Sequence, residues 1–232
     1  MDLFVEIVAS DGHFIDAPDD ADIVTAALEE WGFLATQLEE MEEGSEEPME
    51  AFVEQLESTD VNVQVAAGEN IALLYEKSYS EREEDEEAAP RDDNGDDDDG
   101  QDPTAVNMVK RYTVYRQEHQ LIQLLESLSK ASSKRMSKKD RKSLHTNFAD
   151  ILNSVENPTR GPRYSTAIDA GTNKVYGSRM KVSMGGKNTV TIDKWWKLIR
   201  LKALKRVLQG GFLIHYEDNG VVFDSLPVVL DD

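Results

Sequence analysis

The stretch LESTDVNVQVAAGENIALLYE, Leu56 to Glu76, decides the fold. Leu56 belongs to a short helix, Pro48 to Glu57, with Phe52, Val53 and Leu56 on one face and proline at the start, where its missing N–H costs little. Ser58-Thr59-Asp60 makes a turn. Val61 to Lys77 then forms a longer helix striped by Val63, Ala67, Ile71 and Leu74, with small Ala66 and Gly68 midway where a neighbour can come close. Upstream, Ala21 to Met41 shows the same periodicity through Ile23, Ala27, Trp31, Leu34 and Leu38. Asp19, Asp20 and Asp22 sit at its start, where carboxylates suit the positive helix end.

A short helix, an acidic turn and a longer helix packing back resemble a HEAT or armadillo repeat. Such a pair buries its apolar face only by stacking on neighbours. Leu3 to Val8 (LFVEIV) reads as the end of a preceding repeat's helix, with a strand as the alternative. The chain is expected to open inside a solenoid.

Charge divides the chain. Its 232 residues carry 25 Lys+Arg against 46 Asp+Glu, a net −21. Residues 1–102 hold 3 basic and 34 acidic residues, a net −31, whereas residues 103–232 hold 22 and 12, a net +10. The acidic half repels nucleic acid and the basic half attracts it. Between them EREEDEEAAPRDDNGDDDDGQD, Glu81 to Asp102, has no aliphatic or aromatic residue larger than Ala and reads as a disordered linker. Asp92, Asn94 and Asp96 alternate as in a calcium loop, but positions six and twelve are Asp97 and Pro103 rather than Gly and Glu. No apolar run reaches the length of a membrane span. With no cysteine, disulfides, thiolate zinc and thiol catalysis are excluded.

In the basic half, Thr104 to Ser129 reads as one long helix with Met108, Tyr112, Tyr115, His119, Ile122, Leu125 and Leu128 on its apolar face. KRMSKKDRK, Lys134 to Lys142, follows as a connector with six basic residues in nine. Asn147 to Glu156 is a short amphipathic helix, and Pro158 to Ser178 a loop. Arg179 to Ile192 alternates with period two around Gly185-Gly186 and reads as a hairpin. Asp193 is placed to cap a helix from Lys194 to Gln209. That helix has one stripe of Trp196, Ile199, Ala203 and Val207, and another of Leu201, Leu204 and Leu208. Phe212 to Asp218 and Val221 to Leu226 close the chain.

The succession of LESTDVNVQVAAGENIALLYE, an acidic link, SKKDRK, FADIL, VTIDKWWK and ALKRVLQGGF resembles the interferon-related developmental regulator family. Phe148, Asp150, Ile192, Asp193, Trp195, Lys197, Leu208, Gly211, His215 and Asn219 carry the likeness. The resemblance implies a helical-repeat region joined to a smaller C-terminal domain without enzymatic activity. It also implies a role in gene expression, with corepressor complexes in some members and with ribosomes and translational repression in others.

No catalytic, cofactor or metal site is expected. His13, His119, His145 and His215 are scattered, and Gly185-Gly186-Lys187 lacks the remaining positions of a phosphate loop. The candidate RNA or partner surface is Lys134, Arg135, Lys138, Lys139, Arg141 and Lys142, joined by Lys194, Lys197, Arg200 and Lys205. The expected protein is mainly α: HEAT/armadillo-like repeats over 1–80, an acidic linker over 81–103, and a basic α+β domain with one β-hairpin over 104–232. It is read as a non-enzymatic regulator in the cytoplasm, the nucleus or both. A protein partner lies on the repeat groove, and RNA or the ribosome on the basic half. The alternative is a transcriptional adaptor that binds only proteins, with Lys134 to Lys142 as a nuclear localisation signal.

Overall fold

The structure, a computed structural model, describes residues 1–82, 108–130, 137–168, 175–185 and 189–227. Four helices build the acidic half: α1 (Asp2–Ala9), α2 (Ala21–Ala35), α3 (Glu46–Gln55) and α4 (Val61–Lys77). α1 packs on α2 and α3, and α4 on α2 and α3, so two helix pairs stack as the repeat pattern requires. Leu3 to Val8 is helical, not a strand. Asp20 and Asp60 cap α2 and α4, each side chain accepting two backbone N–H bonds. α2 ends at Ala35, short of Met41, yet Met41 is buried within the following loop. Trp31 and Phe52 meet edge to face at 4.6 Å in the centre of the stack.

Residues 83–107 fall outside the described residues, but the backbone on either side of them is paired. β1 (Tyr79–Glu81) pairs antiparallel with β2 (Met108–Lys110), Ser80 lying opposite Val109. The long helix expected from Thr104 is therefore corrected: Met108–Lys110 is a strand, and α5 starts only at Glu118 and runs to Ser129. The backbone of Met108 to Lys110 is taken by the ladder with Tyr79 to Glu81, which no local periodicity announces. α6 (Lys138–Glu156) is longer than expected and absorbs the second half of the basic run. The loop expected over Pro158 to Ser178 contains a hairpin, β3 (Ser165–Ile168) with β4 (Val175–Ser178). The expected hairpin is also present as β5 (Met180–Ser183) and β6 (Thr189–Ile192). α7 (Trp195–Leu208), α8 (Phe212–Asp218) and α9 (Gly220–Ser225) complete the chain.

The helices on the two sides of the acidic tract share one core. α4 touches α2, α3, α6 and α7, and Gly68 to Glu76 is buried without interruption. The small residues midway along α4 do what their size predicts: a Cβ on Gly68 would stand 2.6 Å from Ile151 Cδ1 on α6. Gly32 on α2 plays the same part opposite Asn70, whose side-chain amide donates to the Leu28 carbonyl at 2.8 Å.

The joint is made at the start of α7. Asp193 does not cap that helix; its Oδ1 is bonded to Lys197 at 2.6 Å. The cap comes instead from Glu76 at the end of α4, whose carboxylate accepts the N–H of Trp195 at 2.7 Å and of Trp196 at 3.2 Å. Trp195 Nε1 donates to Ser154 Oγ on α6 at 2.8 Å, so α4, α6 and α7 converge on one indole that is 2% exposed. Burial pushes the Glu76 carboxyl up to about 7, against the two N–H bonds and nearby Lys194, which favour its charge.

Two stability measurements follow. Gly32→Ala sets a methyl group on Asn70 Oδ1 inside the core and should cost about 1–3 kcal/mol in urea melts, although alanine is the better helix former. Because the folded Glu76 holds its proton to higher pH than the unfolded chain, its contribution is full below about pH 4.5 and is lost as pH rises through about 7. The stability of the wild type relative to Glu76→Gln should therefore fall by on the order of 2 kcal/mol between pH 5 and pH 8. A difference independent of pH removes this assignment.

Candidate functional site

The sequence WWKLIRLKALKRVL winds five cations around a helix that is apolar on more than one side. In the structure Trp195, Leu198, Ile199, Leu201 and Ala203 turn into the core, while Val207 is 70% exposed, outside the stripe to which its spacing assigned it. The cations divide. Lys202 pairs with Glu69 on α4, and Arg206 with Glu29 and Glu30 on α2. The Arg200 guanidinium donates to Thr36 O at 2.6 Å, to Thr36 Oγ1 at 3.0 Å and to Ser225 O at 3.3 Å. It thus closes the C-terminal end of α2, where the helix dipole favours a cation, and ties it to the end of α9.

Of the predicted α7 residues, Lys197 is buried, paired with Asp193 and set over the Trp196 ring at 5.5 Å. Arg200 is half-buried and lies 4.6 Å from the same ring. These two hold the fold together. Lys194 is half-buried at the N-cap, and Lys205 is exposed, its ammonium 5.8 Å from the Phe212 ring. The expected row of Lys194, Lys197, Arg200 and Lys205 is thus split between an inward and an outward side.

Lys138 and Lys142 are exposed and four apart on the first turns of α6, so they share a helix face. Lys139 lies in the same turn. Arg141 is half-buried and has a bonding partner. Lys134 and Arg135 lie outside the described residues.

The sequence reading missed a third basic element. The guanidiniums of Arg160 and Arg179 lie 5.4 Å and 5.5 Å from the Tyr164 ring centre. Arg163 beside it adopts φ +56°, with its N–H on Asp150 Oδ1 at 2.7 Å and its guanidinium on Asp150 and Asn147. Lys181 on β5 is exposed nearby in sequence. The signal was present as three arginines around Tyr164 in RGPRYS and at Arg179, but the segment read as a loop.

Among the described residues no three His, Asp or Glu side chains gather to hold a metal, and no helix is long and apolar enough to cross a membrane. His119 meets Gln123 at 3.0 Å, one turn along α5.

The sequence model of the interferon-related developmental regulator (IFRD) family matches residues 1–156, from α1 to the end of α6. An uncharacterized protein of Schizosaccharomyces pombe is 28% identical over 212 residues, which cover 91% of this chain and 42% of that protein. The chain thus spans less than half the length of this relative. With the family match running through the whole acidic stack and the α6 helix that seats on it, the chain belongs to the interferon-related developmental regulator family.

Proposed function

We propose that the chain is a non-enzymatic regulator of gene expression that contacts RNA or a ribosomal surface through cations on α6 and α7, and holds a protein partner on its acidic helical stack. The division of the cations carries this reading. Lys197, Lys202 and Arg206 are ion-paired within the fold, whereas Lys138, Lys142 and Lys205 carry no ion pair among the described residues. A lysine left without a carboxylate gains by displacing counterions from a phosphate backbone. The Tyr164 ring with its two arginines supports the same reading, since aromatic and guanidinium planes stack on bases. Membership of a family of regulators supports the regulatory part. The competing reading is a protein-only adaptor in which the basic run serves nuclear import.

Binding of the full chain to single-stranded RNA or to ribosomes, measured at several salt concentrations, separates the two. RNA contact predicts an affinity that falls steeply with salt, with a log–log slope of roughly 0.7 per phosphate contacted. Replacing Lys138, Lys142 and Lys205 with Gln should lower that slope by about 2. No binding at physiological salt assigns the function to the adaptor.

The acidic tract is tethered to the same chain as these cations and competes with phosphate at high effective concentration. Its ends meet in the β1–β2 ladder, with Glu81 opposite Met108, so a tight turn can replace it without moving its flanks. Exchanging residues 83–106 for Asn-Gly should strengthen RNA binding at low salt. Unchanged affinity removes self-masking.

A further inference from the structure

Tyr164 is a large aromatic residue that the core does not use. It is half-buried, and among the described residues it takes no part in the apolar cluster that joins Trp31, Phe148 and Trp195. The backbone around it is nevertheless held on both sides. Gly161, at φ +70°, packs so close to the start of α7 that a Cβ there would stand 1.9 Å from the Asp193 carbonyl oxygen. Arg163 gives its N–H and its guanidinium to Asp150 on α6, and the guanidinium also reaches Asn147 at 3.0 Å. Ser165, the next residue after Tyr164, is already in the β3–β4 ladder opposite Ser178. A ring fixed in this way loses little conformational freedom when something binds to it.

The fold uses the arginines around the ring unequally. Arg163 is taken by Asp150, and Arg179 donates to the Asp193 carbonyl at 3.4 Å. Arg160 makes no ion pair among the described residues, and its guanidinium lies against the ring. Next to this cluster an open groove of about 380 Å3 is lined by Arg163, Met180, Leu198, Leu201, Lys202 and Lys205, with no carboxylate among them. The groove thus links the arginine beside Tyr164 to one of the lysines that carry the RNA reading. Phosphate contacts alone require only cations, whereas an aromatic ring adds a face on which any base can stack. Such a face serves only an unpaired base, because in an A-form duplex the bases are stacked inward and the major groove is too narrow for side chains to read.

We propose that the Tyr164 cluster is the stacking platform of a site for single-stranded RNA. One unpaired base stacks on the ring–guanidinium cluster, Arg160 takes the adjoining phosphate, and the strand continues along the groove to Lys205. Asp150 is a positioning residue, since it holds the backbone that presents the ring. This rests on the RNA reading above, and it supplies the class of RNA and the place where a base is held.

The test measures binding of the full chain to three labelled oligomers of about ten nucleotides: single-stranded RNA, an abasic strand of the same charge, and duplex RNA. The single strand should bind about tenfold more tightly than the abasic strand, and the duplex no better than the abasic strand. Tyr164→Ala should erase that tenfold preference without changing affinity for the abasic strand, and Tyr164→Phe should restore it. Arg160→Gln should weaken the single strand and the abasic strand alike. Far-ultraviolet circular dichroism should stay at the wild-type value in all three variants. Equal binding of the single and abasic strands overturns the platform and leaves the phosphate-contact reading in place. A preference for bases that ignores Tyr164→Ala places stacking elsewhere and also overturns it. Duplex bound as tightly as the single strand overturns the class of RNA, and a chain that binds none of the three at low salt overturns the platform together with the RNA reading.

Discussion

At the joint between the two halves of this chain stands one buried carboxylate, and the start of α7 depends on it. Glu76 stands at the last turn of α4 and takes the first free N–H groups of α7, 119 and 120 residues further on. Helix N-termini need acceptors, and this one is too deep for water to serve. The same burial that makes the acceptor necessary raises the carboxyl toward neutrality, so the joint is held under electrostatic tension. Trp195 fills the space between α4, α6 and α7, and its indole N–H is satisfied by Ser154, whose hydroxyl in turn bonds the Asp150 carbonyl. Backbone, side chain and packing demands at this point are met only when all three helices are present.

The segregation of charge along the chain therefore has a structural use. Acidic α2 and α4 meet basic α7, and ion pairs that are local in space join residues more than a hundred positions apart. Exposed pairs of this kind are individually weak, and the apolar stripe of α7 supplies most of the association. What the charges supply is orientation: Arg200 at the end of α2 and Arg206 at Glu29 and Glu30 fix which side of α7 faces the stack.

The stack was legible because α2, α3 and α4 each carry an apolar stripe at helical period, with Asp20 and Asp60 at the caps. The β5–β6 hairpin was legible from its alternation around Gly185, which takes φ +97°. Met108 to Tyr115 misled because its apolar residues happen to fall at helical spacing while the backbone of Met108 to Lys110 pairs with Tyr79 to Glu81, and β3–β4 hides in a segment rich in Gly, Pro, Ser and Thr. Lys197 and Arg200 looked like surface cations, since a helix wheel places charge without saying what stands opposite it.

The sequence by itself determined the helical repeats, their caps, the polarity of the chain and its likeness to a family, because these depend on neighbours a few residues apart. Only the tertiary structure decided that Glu76 rather than Asp193 caps α7, and that four of the five cations of α7 are engaged within the fold. It alone places Arg160 and Arg179 at the Tyr164 ring. The physical reason is common to all three: a charged group's role is set by the dielectric and the partners that packing brings to it, and those come from parts of the chain that no local pattern connects.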